Sequence, residues 1–201
     1  MPPVTLALIV SNVAVYLLQA AWGPQLVVWF ALWPPLATDP GLPQFQVWQL
    51  VSYSFLHGGL THLAFNMLAL YMLGADVERL FGSGFYLRFY LASVVAGALA
   101  HLAYVAFSGA PPLPTVGASG GMFGVLLAFG WFFPQRVLVL LFPPIPLPAR
   151  VFVALYGALE LGLGVSGTGP GVAHFAHLGG MAGGWLAIQH RRGRFPFGPR
   201  R

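Results

Sequence analysis

Along this chain the apolar positions gather into long, nearly unbroken runs, without the alternation of a half-buried strand or the narrow stripe of a surface helix. Six runs stand out: Val4–Ala21, about Gly59–Val77, Phe89–Phe107, Gly117–Phe133, Val151–Val165 and Val172–Gln189. A helix needs about 17–25 such residues to cross the hydrocarbon core of a bilayer, and only the fifth run falls short. The pattern predicts an all-α, polytopic membrane protein, a six-transmembrane-helix bundle forming a single domain over residues 1–201. The first run has neither the basic stretch nor the small-residue cleavage site of a signal peptide, so it reads as a retained span.

Two apolar stretches break the pattern. Between Arg136 and Arg150 lies VLVLLFPPIPLPA, too short to span and holding Pro143, Pro144, Pro146 and Pro148. A proline-rich helix would leave backbone carbonyls unpaired in lipid, so this segment reads as an interfacial connector. Gly23–Leu50 is an interrupted apolar loop with Trp29, Trp33 and Trp48; tryptophan suits the headgroup zone, which places this loop half sunk in one leaflet.

Composition sharpens this picture. Of the 201 residues 58% are hydrophobic and 6% charged, against roughly 25% charged in a soluble domain, and the mean hydropathy is +0.78. There is no cysteine, which excludes disulfides and thiolate metal sites. The net charge of +5 does not describe a nucleic-acid-binding surface, because Arg191, Arg192, Arg194, Arg200 and Arg201 crowd into a basic tail over about residues 190–201. Such a tail suits anionic lipid headgroups. Arg79 and Arg88 fall between the second and third runs, and Arg136 and Arg150 between the fourth and fifth. With six spans every positive charge lies on one side, which the positive-inside rule assigns to the cytoplasm together with both termini.

Polar residues inside such spans are costly and point to function. His57, His62 and Asn66 stand near the start of the second span, Ser119 near the start of the fourth within GASGGMFG, and His174 and His177 near the start of the sixth within HFAHLGGMAGG. These three spans run in the same direction, so Asn66, Ser119 and His177 fall in one layer roughly 5–10 Å below the outer surface. Gly117, Gly120, Gly121 and Gly124 in the fourth span, and Gly179, Gly180, Gly183 and Gly184 in the sixth, form small-xxx-small pairs that permit close helix contact. Such glycines serve packing in many membrane proteins; here the same contact would bring Ser119 to His177.

A serine hydroxyl becomes a nucleophile when an imidazole accepts its proton. Ser119 is therefore expected to attack a peptide carbonyl with His177 as base. The helix start at Ser119, with Asn66 and His62, would stabilise the oxyanion. Asp39 lies in the first loop, Asp76 and Glu78 at the cytoplasmic end of the second span, and Glu160 midway along the fifth. No carboxylate is expected at His177, which predicts a dyad, and Phe123 is a candidate to pack on the His177 ring. Two other readings compete. A metal-binding transporter would use His57, His62, His174 and His177, and a non-catalytic scaffold would bind membrane helices without turnover.

VWQLVSYSFLHGGLTHLAFNMLALYMLG (47–74), Glu78-Arg79, GASGG (117–121) and AHLGGMAGG (176–184), in that order over six spans, resemble the rhomboid family of intramembrane proteases. The resemblance implies a bundle of the rhomboid type, Ser119 as nucleophile, His177 as base, and an oxyanion hole of His62, Asn66 and the Ser119 backbone N–H. It implies no cofactor or metal, no nucleic acid, and transmembrane protein substrates cut near the outer face of a bacterial or archaeal cell membrane. It also makes the loop before the sixth span, 164–172, a cap over the site. Two positions depart from the family pattern: Gln49 follows Trp48 where Arg is frequent, and Phe123 stands where Tyr is common.

Overall fold

The computed structural model describes residues 1–35, 41–139, 144–167 and 172–193. Asp39, the tail beyond Gly193, residues 140–143 of the proline-rich connector and 168–171 of the expected cap lie outside the described residues. Helix α1 (Pro3–Trp22) is followed by the short α2 (Pro24–Phe30) and α3 (Gln49–Ser52) in the first loop. A long helix comes next, α4 (Leu60–Ala69) continuing through a π turn at Leu70–Gly74 into α5 (Ala75–Phe81). Then come α6 (Ser83–Ser108), α7 (Ser119–Phe132), strands β1 (Val137–Val139) and β2 (Pro146–Pro148), α8 (Ala149–Ser166) and α9 (His174–Arg191). The two strands pair antiparallel, Leu138 opposite Leu147, and form the non-helical connector.

Among the described residues, six long helical segments stand where the six apolar runs are. By length and composition α1, α4–α5, α6 and α8 suffice to cross a membrane, while α7 is a shorter apolar helix. α9 carries three histidines and a row of glycines, and it packs against α6, α7 and α8. A helix screened by its neighbours does not have to be apolar all round. On the outside, α1 exposes Leu6, Val10, Leu17 and Trp22, and α8 exposes Leu155, Leu159 and Val165, as lipid contact requires.

Two boundaries differ from expectation. The second long helix runs on to Phe81 and the third starts at Ser83, because Gly82 (φ 76°) reverses the chain within one residue. The extra turn carries Glu78, which is 1% exposed. Its carboxylate accepts hydrogen bonds from the N–H groups of Val4 and Thr5 (3.0 and 2.7 Å) and from the hydroxyls of Thr5 and Ser83 (2.7 and 2.6 Å). A buried carboxylate persists only when its acceptor sites are filled in this way, and here it ties α1, α5 and α6 together.

The described arginines collect at this same end. Arg79 and Arg136 share Asp76 (2.9 and 3.1 Å), and Arg191 donates to the Phe81 carbonyl (3.0 Å) while lying over the Phe85 ring.

The centre of the bundle is made by glycine. A Cβ on Gly180 of α9 would collide with the Gly120 carbonyl of α7, and one on Gly184 would stand 3.0 Å from the Gly124 Cα. Gly179 and Gly183 face α6 instead, against the carbonyls of Ala96 (2.7 Å) and Ala92 (2.9 Å). The glycines of α9 therefore serve two neighbours, one pair each. Gly162 of α8, by contrast, has nothing within 4 Å of the place its Cβ would take.

Alanine at these two positions should act in opposite directions. Gly180→Ala should lower the thermal midpoint of the detergent-solubilised protein, by an overpacking cost of about 1–3 kcal/mol. Gly162→Ala should leave it unchanged or raise it, since alanine is the better helix former by about 0.5–1 kcal/mol. Equal shifts in both variants would contradict the packing described.

Candidate active site

The approach to Ser119 is fixed before α7 begins. Leu32 and Thr115 exchange backbone hydrogen bonds (both 3.0 Å), and the Gly117 N–H donates to the Tyr53 carbonyl (3.0 Å). Gly117 has φ 132°, open to glycine and strained for other residues. A Cβ there would lie 2.8 Å from His62 Nε2 and 3.6 Å from Ser119 Oγ. The missing side chain thus leaves a space between the imidazole of α4 and the hydroxyl of α7. Ser119 is the first residue of α7, where backbone N–H groups lack intrahelical acceptors.

His177 stands in the first turn of α9, and its Nε2 is 2.8 Å from Ser119 Oγ. The His177 ring stacks on Phe123, with centroids 4.1 Å apart and planes 5° from parallel, and Phe123 stacks in turn on Tyr156 of α8. The face of the imidazole is held by an apolar ring, so phenylalanine suffices where a hydroxyl would have no part in the stack.

The expectation that no carboxylate reaches His177 is overturned. Glu160 Oε2 lies 2.9 Å from His177 Nδ1 and 2.7 Å from His174 Nδ1, and Glu160 is 4% exposed. Glu160 is six residues from the end of α8 and His177 three residues from the start of α9. At 1.5 Å per residue their depths differ by about one turn, a gap that a glutamate side chain bridges. The contacts seen are therefore Ser119–His177–Glu160, with His174 on the same oxygen. The sequence did contain a signal, an acid within an apolar span, which is rarely left without a partner.

On the other wall, His62 Nδ1 accepts from the Gly58 N–H (3.3 Å), which leaves Nε2 of the neutral ring as the protonated nitrogen, a donor beside the space over Gly117. The Asn66 amide donates to the His62 carbonyl (2.9 Å) and is 7% exposed. His57, in the loop before α4, sits edge-on to His62 with centroids 5.1 Å apart. Burial, and the neighbouring His62, lower its pKa to about 4, so it is neutral at physiological pH. His101 bonds Thr115 Oγ1 (2.8 Å), outside this group.

The histidine set of the transporter reading is not assembled. Among the described residues one group could hold a metal ion, Glu160, His174 and His177, with ligand atoms all within 4.8 Å of one another; His57 and His62 are not part of it. A carboxylate and two Nδ1 atoms are acceptable ligands for a divalent ion, although binding would take His177 and Glu160 away from the contacts just described.

Gln49 explains how the first loop does without arginine. Buried to 1% exposure, its Oε1 accepts from the Trp33 N–H (3.2 Å) and its Nε2 donates to the Trp29 carbonyl (3.4 Å). The Trp48 indole N–H reaches the same carbonyl (3.1 Å).

Residues 44–192 match the family described as the Rhomboid domain. The chain is 34% identical over 147 residues to Rhomboid protease GluP of Bacillus subtilis, which covers 73% of this chain and 26% of that protein. It is 33% identical over 134 residues to Rhomboid protease GlpG of Klebsiella pneumoniae, covering 67% and 45%. With Rhomboid protease GlpG of Serratia proteamaculans it is 29% identical over 191 residues, covering 92% and 61%. The chain thus spans about a quarter to three-fifths of the length of these relatives.

Removing the flat face behind His177 should be felt. Phe123→Leu should slow the reaction of Ser119 with a serine-directed phosphonofluoridate about 3–10-fold, the equivalent of the 0.5–1.5 kcal/mol typical of ring stacking, while Phe123→Tyr should keep the wild-type rate. An unchanged rate in Phe123→Leu would show that the stack does not position the imidazole.

Proposed function

The chain belongs to the rhomboid family, and we propose that it is an intramembrane serine endopeptidase with Ser119 as nucleophile and His177 as general base. The observation that carries this reading is the 2.8 Å contact of Ser119 Oγ with His177 Nε2 at the starts of two helices. Ser119 Oγ attacks the carbonyl carbon of the scissile peptide as its proton passes to Nε2. The tetrahedral intermediate collapses to an acyl-enzyme, and Nε2 returns the proton to the departing amine. Water, deprotonated by the same nitrogen, then releases the new carboxylate.

The negative oxygen of the intermediate is received over Gly117, by the Ser119 N–H, His62 Nε2 and the Asn66 amide. The positions of His62 and of the α7 N-terminus support this assignment. Donors aimed at a developing charge in a dry site contribute strongly to catalysis.

In this reading the substrates are single-pass membrane proteins, cut near the outer face of a cell membrane. The clustering of the described arginines at the Asp76 end supports placing that end, and both termini, in the cytoplasm. The site then lies toward the opposite face, where the apolar exterior of α1 and α8 admits a helix arriving through lipid.

Treated with a phosphonofluoridate probe in detergent, wild-type protein should be labelled, and Ser119→Ala and His177→Ala should not, while all three keep their melting midpoints. Asn66→Ala should slow the reaction about 10²–10³-fold, as loss of one oxyanion donor does. Folded wild type that takes no label, or label that survives Ser119→Ala, would defeat the proposal.

A further inference from the structure

Glu160 is a buried carboxylate in an apolar helix, and the proposed chemistry of Ser119 and His177 does not by itself require it. Its Oε2 is shared by two imidazole nitrogens, His174 Nδ1 at 2.7 Å and His177 Nδ1 at 2.9 Å. Both rings come from the first turn of α9, three residues apart, and meet nearly at right angles (86°). Helix α8 thus sends one acceptor into a fork formed by α9.

A carboxylate oxygen that accepts from two N–H groups leaves one consistent proton arrangement. Each imidazole carries its hydrogen on Nδ1, so Nε2 of neutral His177 is bare. Bare Nε2 is the atom that faces Ser119 Oγ, and it can accept the hydroxyl proton. Without an acceptor at Nδ1 the ring could hold its proton on Nε2 and present a donor to Ser119, which is useless for a base. The other titratable groups close enough to act electrostatically on His177 or Glu160 are His62 on α4, His101 on α6 and Tyr156 on α8, and none of them is a carboxylate. Among the described residues, the single negative charge available to stabilise an imidazolium at His177 is therefore Glu160.

From this geometry we infer that Glu160 is the positioning residue of the site, fixing the tautomer and orientation of His177, with His174 as the second donor that holds the carboxylate in place. The inference rests on Ser119 and His177 being nucleophile and base, and it extends that pair into a Ser–His–Glu relay in which Glu160 never contacts substrate. The His177 proton on Nδ1 stays on Nδ1 throughout; the proton that moves is the serine's, to Nε2 and then to the leaving amine.

The test uses the full chain in detergent, labelled with ¹⁵N-histidine, and the phosphonofluoridate probe. Glu160→Gln keeps the shape and loses the charge, and should slow labelling of Ser119 roughly 10⁴-fold, the loss seen when the orienting acid of a hydrolase triad is neutralised. Glu160→Asp should recover part of that rate, and His174→Asn should lie between wild type and Glu160→Gln. The ¹⁵N spectrum should show His177 protonated on Nδ1 in wild type and as a tautomer mixture in Glu160→Gln.

Wild-type labelling rates in Glu160→Gln, or an Nε2-protonated His177 in wild type, would overturn the inference while leaving the Ser119–His177 reading intact. Absence of labelling in wild type would instead defeat that underlying reading. The wild-type spectrum decides the matter even if Glu160→Gln does not fold. Stoichiometric zinc in the purified protein that disappears in Glu160→Gln would make the cluster a metal site and overturn the inference as well.

Discussion

Everything at the centre of this protein depends on how closely α7 and α9 approach. The Gly180 position fits directly against the Gly120 carbonyl, and Gly184 against Gly124 one turn further on. In lipid there is little hydrophobic gain in pressing two apolar helices together, so close packing of backbones has to supply the association. The same contact sets the spacing of Ser119 and His177. Ser119 precedes Gly120 by one residue and His177 precedes Gly180 by three, so the glycine contact determines how far the hydroxyl stands from the imidazole. Structural and functional readings of the glycine motifs are therefore one reading at different distances from the contact.

Around this contact the two buried carboxylates, Glu78 and Glu160, stand toward opposite ends of the bundle, and each has its acceptor sites filled by donors. At the arginine-rich end Glu78 is surrounded by four donors from α1 and the start of α6. At the other end Glu160 receives two imidazoles from α9. Both are acids that lipid would not tolerate alone. The donors differ in a way that matters. Backbone N–H groups and hydroxyls around Glu78 cannot themselves take up a proton, so that cluster locks helices. The imidazoles on Glu160 can become charged, so that cluster can take part in proton transfer.

Much of this was legible in the sequence, and the parts that were not share a cause. Long apolar runs gave the helices, because spanning length is a one-dimensional property that a chain displays openly. Counting residues from the start of each span put Ser119 and His177 at one level, and the two side chains do meet. What counting could not supply was the lateral reach of a side chain. Glu160, midway along its apolar run, is not expected at His177, yet the neighbouring helices are antiparallel and the side chain covers about one turn. The end of the second helix and the start of the third lie beyond the apolar runs, because charged residues that resemble a helix stop are carried inside the helix once Asp76 is paired and Glu78 filled.

Gln49 shows the same limit from the opposite direction. Read against the frequent arginine of the family it looks like a loss, since a cation is replaced by a neutral amide. The first loop, however, needs an acceptor for the Trp33 N–H and a donor to the Trp29 carbonyl, and a carboxamide offers one of each. A guanidinium offers donors alone. Burial favours the amide further, because an uncharged group at 1% exposure pays no ionic desolvation. The loop held by Gln49 leads through Leu32 to Thr115, two residues before Gly117. A residue seventy positions from Ser119 in sequence thus bears on the turn that presents it, and the first loop belongs to the support of the candidate site.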